Sequence, residues 1–122
     1  MCCSRIRVTL NGVAKEKQGI KAGTYLKASG LINNRSHWLQ IDGDQALWYS
    51  IIDNRWNIGF SSDLGSNIGG ITSVQDSACP TKADKFLYAT GDEWTLGETG
   101  DEYDMFFEDS VSISAVNQHL CS

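Results

Sequence analysis

The sequence predicts an all-β fold, one compact antiparallel β-sandwich or barrel of about eight to nine short strands. Three observations carry this. Short segments rich in β-forming residues recur along the chain, several with apolar side chains at every second position. Twelve glycines and a single proline, Pro80, punctuate them. Turn signals separate many of the segments at hairpin spacing, and only one short stretch can pass for a helix. The 122 residues, 41 % of them apolar, suffice for one domain with a real core, residues 1–122. No internal repeat of fixed period supports a propeller or a trefoil.

The elements follow in order. Residues 4–10 alternate cleanly, with Ile6, Val8 and Leu10 on one face and Arg5, Arg7 and Thr9 on the other, which is a half-buried strand. Residues 12–21 are the one helical candidate, with poor apolar spacing. Residues 23–28 form a short strand carrying Tyr25. Segments 36–41 and 45–52 flank Asp42-Gly43-Asp44, the strongest hairpin signal, because Asp and Gly tolerate the positive φ of a tight turn. A turn at Asp53-Asn54 leads into a strand at 55–60. Residues 59–72, with four glycines, read as a long surface loop. Segments 84–90 and 93–96 flank Gly91-Asp92, a second hairpin, and strands at 104–108 and 110–116 finish the chain, the last alternating through Val111, Ile113 and Ala115.

Charge and cysteine content bound the function. The net charge is -5, against which a phosphate-binding surface would have to work, so nucleic acid is not an expected partner. The charge is unevenly spread: eight of the fifteen acidic residues lie between Asp92 and Asp109, which reads as a solvated acidic face. No run reaches the roughly 18 apolar residues of a membrane span. The four cysteines, Cys2, Cys3, Cys79 and Cys121, fit no zinc spacing. They are expected to form disulfides, with a clasp between the first and last strands and Cys79 pinning a loop; reduced thiols are the alternative. Met1–Arg5 lacks the basic and apolar regions of a signal peptide, which leaves an intracellular protein or a mature form that begins at an added Met. The disulfides favour a secreted or extracellular location.

No catalytic set assembles in the sequence. There is no Gly-x-Ser-x-Gly elbow and no His-Glu-x-x-His, and the two histidines, His37 and His119, have no partner at a telling spacing. A non-enzyme is expected, with a small glycoside hydrolase built on the acidic loop as the third choice. No cofactor is expected. Glu98, Asp101 and Asp104, on a glycine-bearing turn, offer oxygens suited to calcium but lack the ligand order of an EF-hand.

The aromatic residues say more. Trp48 and Trp56 lie in apolar runs and read as core. In 36–41, alternation groups His37 with Leu39 and Ile41, and puts Trp38 with Gln40 and Asp42 on the opposite, polar face. Trp94 follows Asp92-Glu93 on a hairpin edge. An indole among amides and carboxylates suits a sugar, because the flat ring covers the C–H face of a pyranose while polar neighbours fix its hydroxyls. Asn34, Arg35, Trp38, Asp42, Asp92, Glu93 and Trp94 are therefore the candidate carbohydrate contacts. Asn34-Arg35-Ser36 also fits the N-glycosylation acceptor, a use that would compete with binding there.

A succession of short motifs spans nearly the whole chain: Cys3-x-x-Ile6-x-Val8, Gly23-Thr24-Tyr25, Asn33-x-Arg35-x-x-Trp38, Leu47-Trp48-Tyr49, Trp56-x-Ile58-Gly59, Cys79-Pro80, Trp94 and Cys121. In this order they resemble a family of small extracellular β-modules of marine invertebrates, nearest to the crinoid lectins for type 2 N-acetyllactosamine. The resemblance implies an extracellular, disulfide-bearing, calcium-independent lectin for galactose- or N-acetyllactosamine-type glycans. Two places depart from the pattern. Asn34 and Ser36 replace the Gly and Pro of an Asn-Gly-Arg-Pro turn, and Phe86-Leu87-Tyr88 stands where a Trp is commoner. The expected partners are glycans or glycoproteins, with a homo-oligomer supplying avidity. A structural or protein-interaction module of an extracellular protein is the alternative.

Overall fold

The computed structural model describes residues 2–83, 85–91, 93–97 and 109–115. Nine strands make one antiparallel sheet: β1 (Arg5–Asn11), β2 (Gly23–Lys27), β3 (Trp38–Gln40), β4 (Gln45–Ser50), β5 (Arg55–Phe60), β6 (Ile71–Ser73), β7 (Phe86–Ala89), β8 (Trp94–Gly97) and β9 (Asp109–Ala115). Their spatial order is β8-β7-β6-β5-β4-β3-β2-β1-β9. Eight strands form a meander in chain order, and the last returns to pair with the first, Ile6 opposite Ala115 and Asn11 opposite Ser110. The sheet curls into a half-barrel, so of the two expected architectures the barrel-like one is present.

Alternation builds the inner face as expected. In β1, Ile6, Val8 and Leu10 are buried while Arg5, Arg7 and Thr9 are exposed. Tyr25, Trp38, Leu47, Tyr49, Trp56, Ile58, Ile71, Phe86, Tyr88 and Val111 complete the same core. Fully burying each of the large apolar side chains contributes about 1.5–3 kcal/mol. Three rings lock edge to face, with Trp38 and Trp56 centroids 5.8 Å apart and Tyr49 and Trp56 centroids 5.3 Å apart.

The helical candidate is real. A helix α1 (Gly12–Gln18) runs into a 3-10 turn (Gly19–Lys21). Its apolar spacing is poor because Ala14 alone of its residues is buried. The helix meets β1, β9 and β7, which stand towards opposite ends of the strand order, so it spans the seam that the curled sheet leaves. The Gln18 side-chain amide donates to the Ala89 carbonyl of β7 at 2.7 Å. Between this helix and β2, Lys21 is almost wholly buried, and that burial lowers its pKa although Asp44 pulls the other way.

The region read as one long loop is shorter than expected, because residues 71–73 form the missed strand β6. What precedes it, residues 61–70, folds back over the outer face of β4 and β5. Trp48 faces outward yet is fully buried there, and its Nε1 donates to the Ser66 carbonyl at 2.7 Å. The Asn33 amide fastens this loop to the sheet, donating to the carbonyls of Tyr49 (2.7 Å) and Gly65 (3.1 Å).

One disulfide joins Cys2 to Cys79 across 77 positions. Cys3 is also disulfide-bonded. Cys121, and the strand expected at 104–108, lie outside the described residues. No helix among the described residues is long and apolar enough to cross a membrane.

Candidate functional site

Of the seven residues singled out for carbohydrate contact, the six that are described do not come together. Trp38 is inverted with respect to the expectation: its indole is fully buried, and its Nε1 donates to the Cys3 carbonyl at 2.9 Å. The residues expected beneath it, Leu39 and Ile41, are 41 % and 42 % exposed. An indole offers more apolar surface than either aliphatic side chain, so it takes the core and turns its neighbours out. With no face open to solvent, Trp38 is not a stacking platform.

Arg35 is occupied as well. Its guanidinium lies 3.6 Å from the Tyr49 ring centroid, donates to the Ser77 carbonyl at 2.7 Å and stands 3.8 Å from the Asp76 carboxylate. The Tyr49 hydroxyl donates to Asp76 at 2.7 Å, and Trp56 Nε1 donates to the Ser77 carbonyl at 2.9 Å. Burial, helped by the bond to Asp76, raises the Tyr49 pKa. Arg35, Tyr49 and Trp56 thus hold the segment that leads to Cys79, which is a structural duty. Asn34 sits beside them in a left-handed conformation, φ 66°. Asp42, exposed in the β3–β4 turn at φ 59°, lies at the other end of the barrel, since β4 runs its full length between that turn and the one holding Asp53.

The β7–β8 hairpin fares differently. Gly91, at φ 113°, supplies the turn conformation that an L side chain rarely adopts. The Glu93 carbonyl accepts from Thr90 N at 2.9 Å, the Glu93 side chain is exposed, and Trp94 is half exposed (51 %) on β8 opposite Ala89. Asp92, Glu98, Asp101 and Asp104 lie outside the described residues, among which no group of three or more His, Cys, Asp or Glu residues could hold a metal.

Trp94 lines a cleft of about 300 Å³ on the outer face of the sheet. Asp53 from the β4–β5 turn, Arg55 and Asn57 from β5, Asn67 from the covering loop, Thr72 from β6 and Leu87 from β7 share the lining. The register explains the grouping. Asn57, Thr72 and Leu87 are direct cross-strand neighbours. Each alternates with an inward residue (Ile58, Ile71, Tyr88), so all three project outward in one row. Arg55, two places before Asn57, shares that face.

The hydrogen-bonding capacity of this cleft is not used up by the fold. Thr72 is 5 % exposed, and its Oγ1 is buried without a hydrogen-bond partner. Asn57 spends its amide on the Arg55 carbonyl at 3.2 Å. Among the described residues, the Arg55 guanidinium has neither a hydrogen bond nor an ion pair. Among the described residues, the cleft therefore offers an exposed indole, a carboxylate, a guanidinium and the Asn67 amide, with the unpartnered Thr72 hydroxyl buried behind them, around a volume at the small end of ligand sites.

Sequence reasoning found Trp94 and missed the rest. Alternation in β5 separates Arg55 and Asn57 from the core residues Trp56 and Ile58, and that signal was available. The positions of Thr72 and Asn67 were hidden in the apparent loop. No family model, curated protein or solved structure matches this chain.

Proposed function

We propose that the protein is a non-enzymatic carbohydrate-binding module, a small lectin for galactose- or N-acetyllactosamine-type glycans, and that the cleft beside Trp94 is its site. The observation that carries this reading is the half-exposed indole at the edge of a small cleft lined by Asp53, Arg55, Asn57, Asn67 and Thr72. Stacking on the indole would bury one C–H face of a pyranose, and the surrounding side chains are suited to its hydroxyls. The galactoside preference rests on the motif resemblance. A disulfide and the lack of a membrane-spanning helix among the described residues are compatible with an extracellular lectin.

Single sugar sites bind weakly, so self-association belongs to the same proposal. Leu26 and Leu39, paired across β2 and β3 and both exposed, form an apolar step on the outer surface suited to it.

The test is a glycan array probed with the purified protein, with and without EDTA, beside Trp94→Ala. Binding of galactose-terminated structures that survives EDTA and falls about tenfold or more in Trp94→Ala is the expected result. A blank array from folded protein would favour the protein-interaction alternative. Full binding by Trp94→Ala would move the site elsewhere.

A further inference from the structure

The lining of the cleft has a charge logic that a neutral sugar does not use. Arg55 is the only cation among the described residues that line the cleft. The other arginine of this region, Arg35, is spent on Tyr49, Ser77 and Asp76. Arg55 stands free of hydrogen bonds and ion pairs among the described residues, although Asp53 lines the same cleft. A carboxylate that shares the cleft without pairing with the guanidinium leaves both groups for a ligand. Beside them the buried Thr72 Oγ1 has no partner, a cost that native folds rarely carry without a use.

We propose that the ligand is an anionic saccharide, a galactoside-type glycan bearing a carboxylate or a sulfate, with Arg55 as the residue that reads the charge. This rests on the carbohydrate reading of the cleft and narrows it. The planar guanidinium fork meets two oxygens of a carboxylate or sulfate at once. Asp53, an acceptor, and the Asn67 amide are suited to neighbouring hydroxyls, and Trp94 to the ring face. An acidic sugar presents both an anion and a set of hydroxyl donors on one ring, which is the complement of a lining with one cation and one carboxylate. The overall charge of -5 works against anions at long range, so the selectivity must come from short-range contact and be partly screened by salt.

The experiment measures binding to one neutral N-acetyllactosamine and to its sialylated, uronic-acid-bearing and sulfated derivatives, with wild type, Arg55→Gln, Arg55→Lys and Trp94→Ala. The expected result is a preference for at least one anionic derivative of about tenfold or more over the neutral parent. Arg55→Gln should abolish that preference, bringing anionic and neutral glycans to equal affinity whatever the absolute level, and Arg55→Lys should keep only part of it. The sialylated, uronate and sulfated arms tell which anion is read. Equal binding of neutral and anionic glycans, unchanged in Arg55→Gln, overturns the charge reading and leaves the lectin standing. Failure of folded wild type to bind any of the sugars overturns both. Among the described residues the Arg55 guanidinium makes no hydrogen bond or ion pair, and the unfolding midpoint of each variant is measured beside its binding.

Discussion

At His37, position and chemistry pull against each other. The imidazole is 7 % exposed, and its Nδ1 has no hydrogen-bond partner. Burial without a partner disfavours the charged ring, so its pKa lies below the ordinary 6.5. The unfolded chain, with His37 near 6.5, then binds more protons than the folded one at any pH between the two values. Stability from this group is therefore fully present above about pH 6.5 and is lost as pH falls through the lowered folded value. The slope is at most about 1.4 kcal/mol per pH unit for one proton. Urea unfolding of wild type and His37→Gln between pH 7.5 and 5 checks this. The wild type should lose stability faster on acidification, and identical pH profiles would show that His37 does not stay neutral in the fold. Thr72 has the same kind of unpartnered buried atom, but it does not titrate and it lines the cleft, which His37 does not.

Among the elements, the covering loop before β6 does most to shape the cleft, since it brings Asn67 to the lining and buries Trp48. Gly59 makes room for it. A Cβ there would meet Gly69 Cα and Trp48 Cη2, each at 3.0 Å, and the Ile68 carbonyl oxygen at 3.1 Å. Backbone hydrogen bonding from Gly70 N to the Ile58 carbonyl, 2.9 Å, leaves the loop little freedom to retreat. Gly59→Ala should thus cost about 1–3 kcal/mol, as overpacking generally does, and weaken the proposed glycan binding through the displaced Asn67. Denaturant unfolding and the array binding assay together check it, and a variant as stable as wild type would mean that the loop moves freely. This loop also sets what the sequence could reveal. In β1 and β9, alternation was legible because one face meets the core and the other meets water. In β4 all six residues are buried, because residues 61–70 cover the outer face, so its strand character had to be read from β-forming residues and the adjoining turn. In β3 the alternation was correct but its polarity was reversed, since one indole outweighs two aliphatic neighbours. Three residues of β6 between glycines and polar turns carry too little pattern to be seen at all.

At the scale of the whole molecule, the sheet is open, and among the described residues a helix and a disulfide brace it across the opening. The α1 helix spans the seam between the β7 side and the β1–β9 side. The Cys2–Cys79 disulfide is the second brace: Cys2 precedes β1, near one end of the strand order, and Cys79 lies between β6 and β7, near the other. The bond therefore ties together parts of the sheet that share no ladder hydrogen bonds. It also anchors the segment held by Arg35, Tyr49 and Trp56, so the candidate contact Arg35 and Cys79 belong to one closure. In the chain-entropy account, closing a loop of 77 positions restricts the unfolded chain by roughly 4–5 kcal/mol. The neighbouring Cys3 is disulfide-bonded too and keeps the N-terminal strand tethered, which reduces the loss expected from removing one bond. Cys2→Ser/Cys79→Ser should accordingly lose about 2–4 kcal/mol of unfolding free energy. The cleft lies on the outer face of β5 to β8, away from Cys2, so the fraction that stays folded should keep wild-type affinity for the proposed glycan ligand. Thermal unfolding and a binding titration on the same double variant separate these effects. Lost stability with retained affinity is the signature of a brace, whereas affinity that falls in fully folded protein would place the closure inside the binding site.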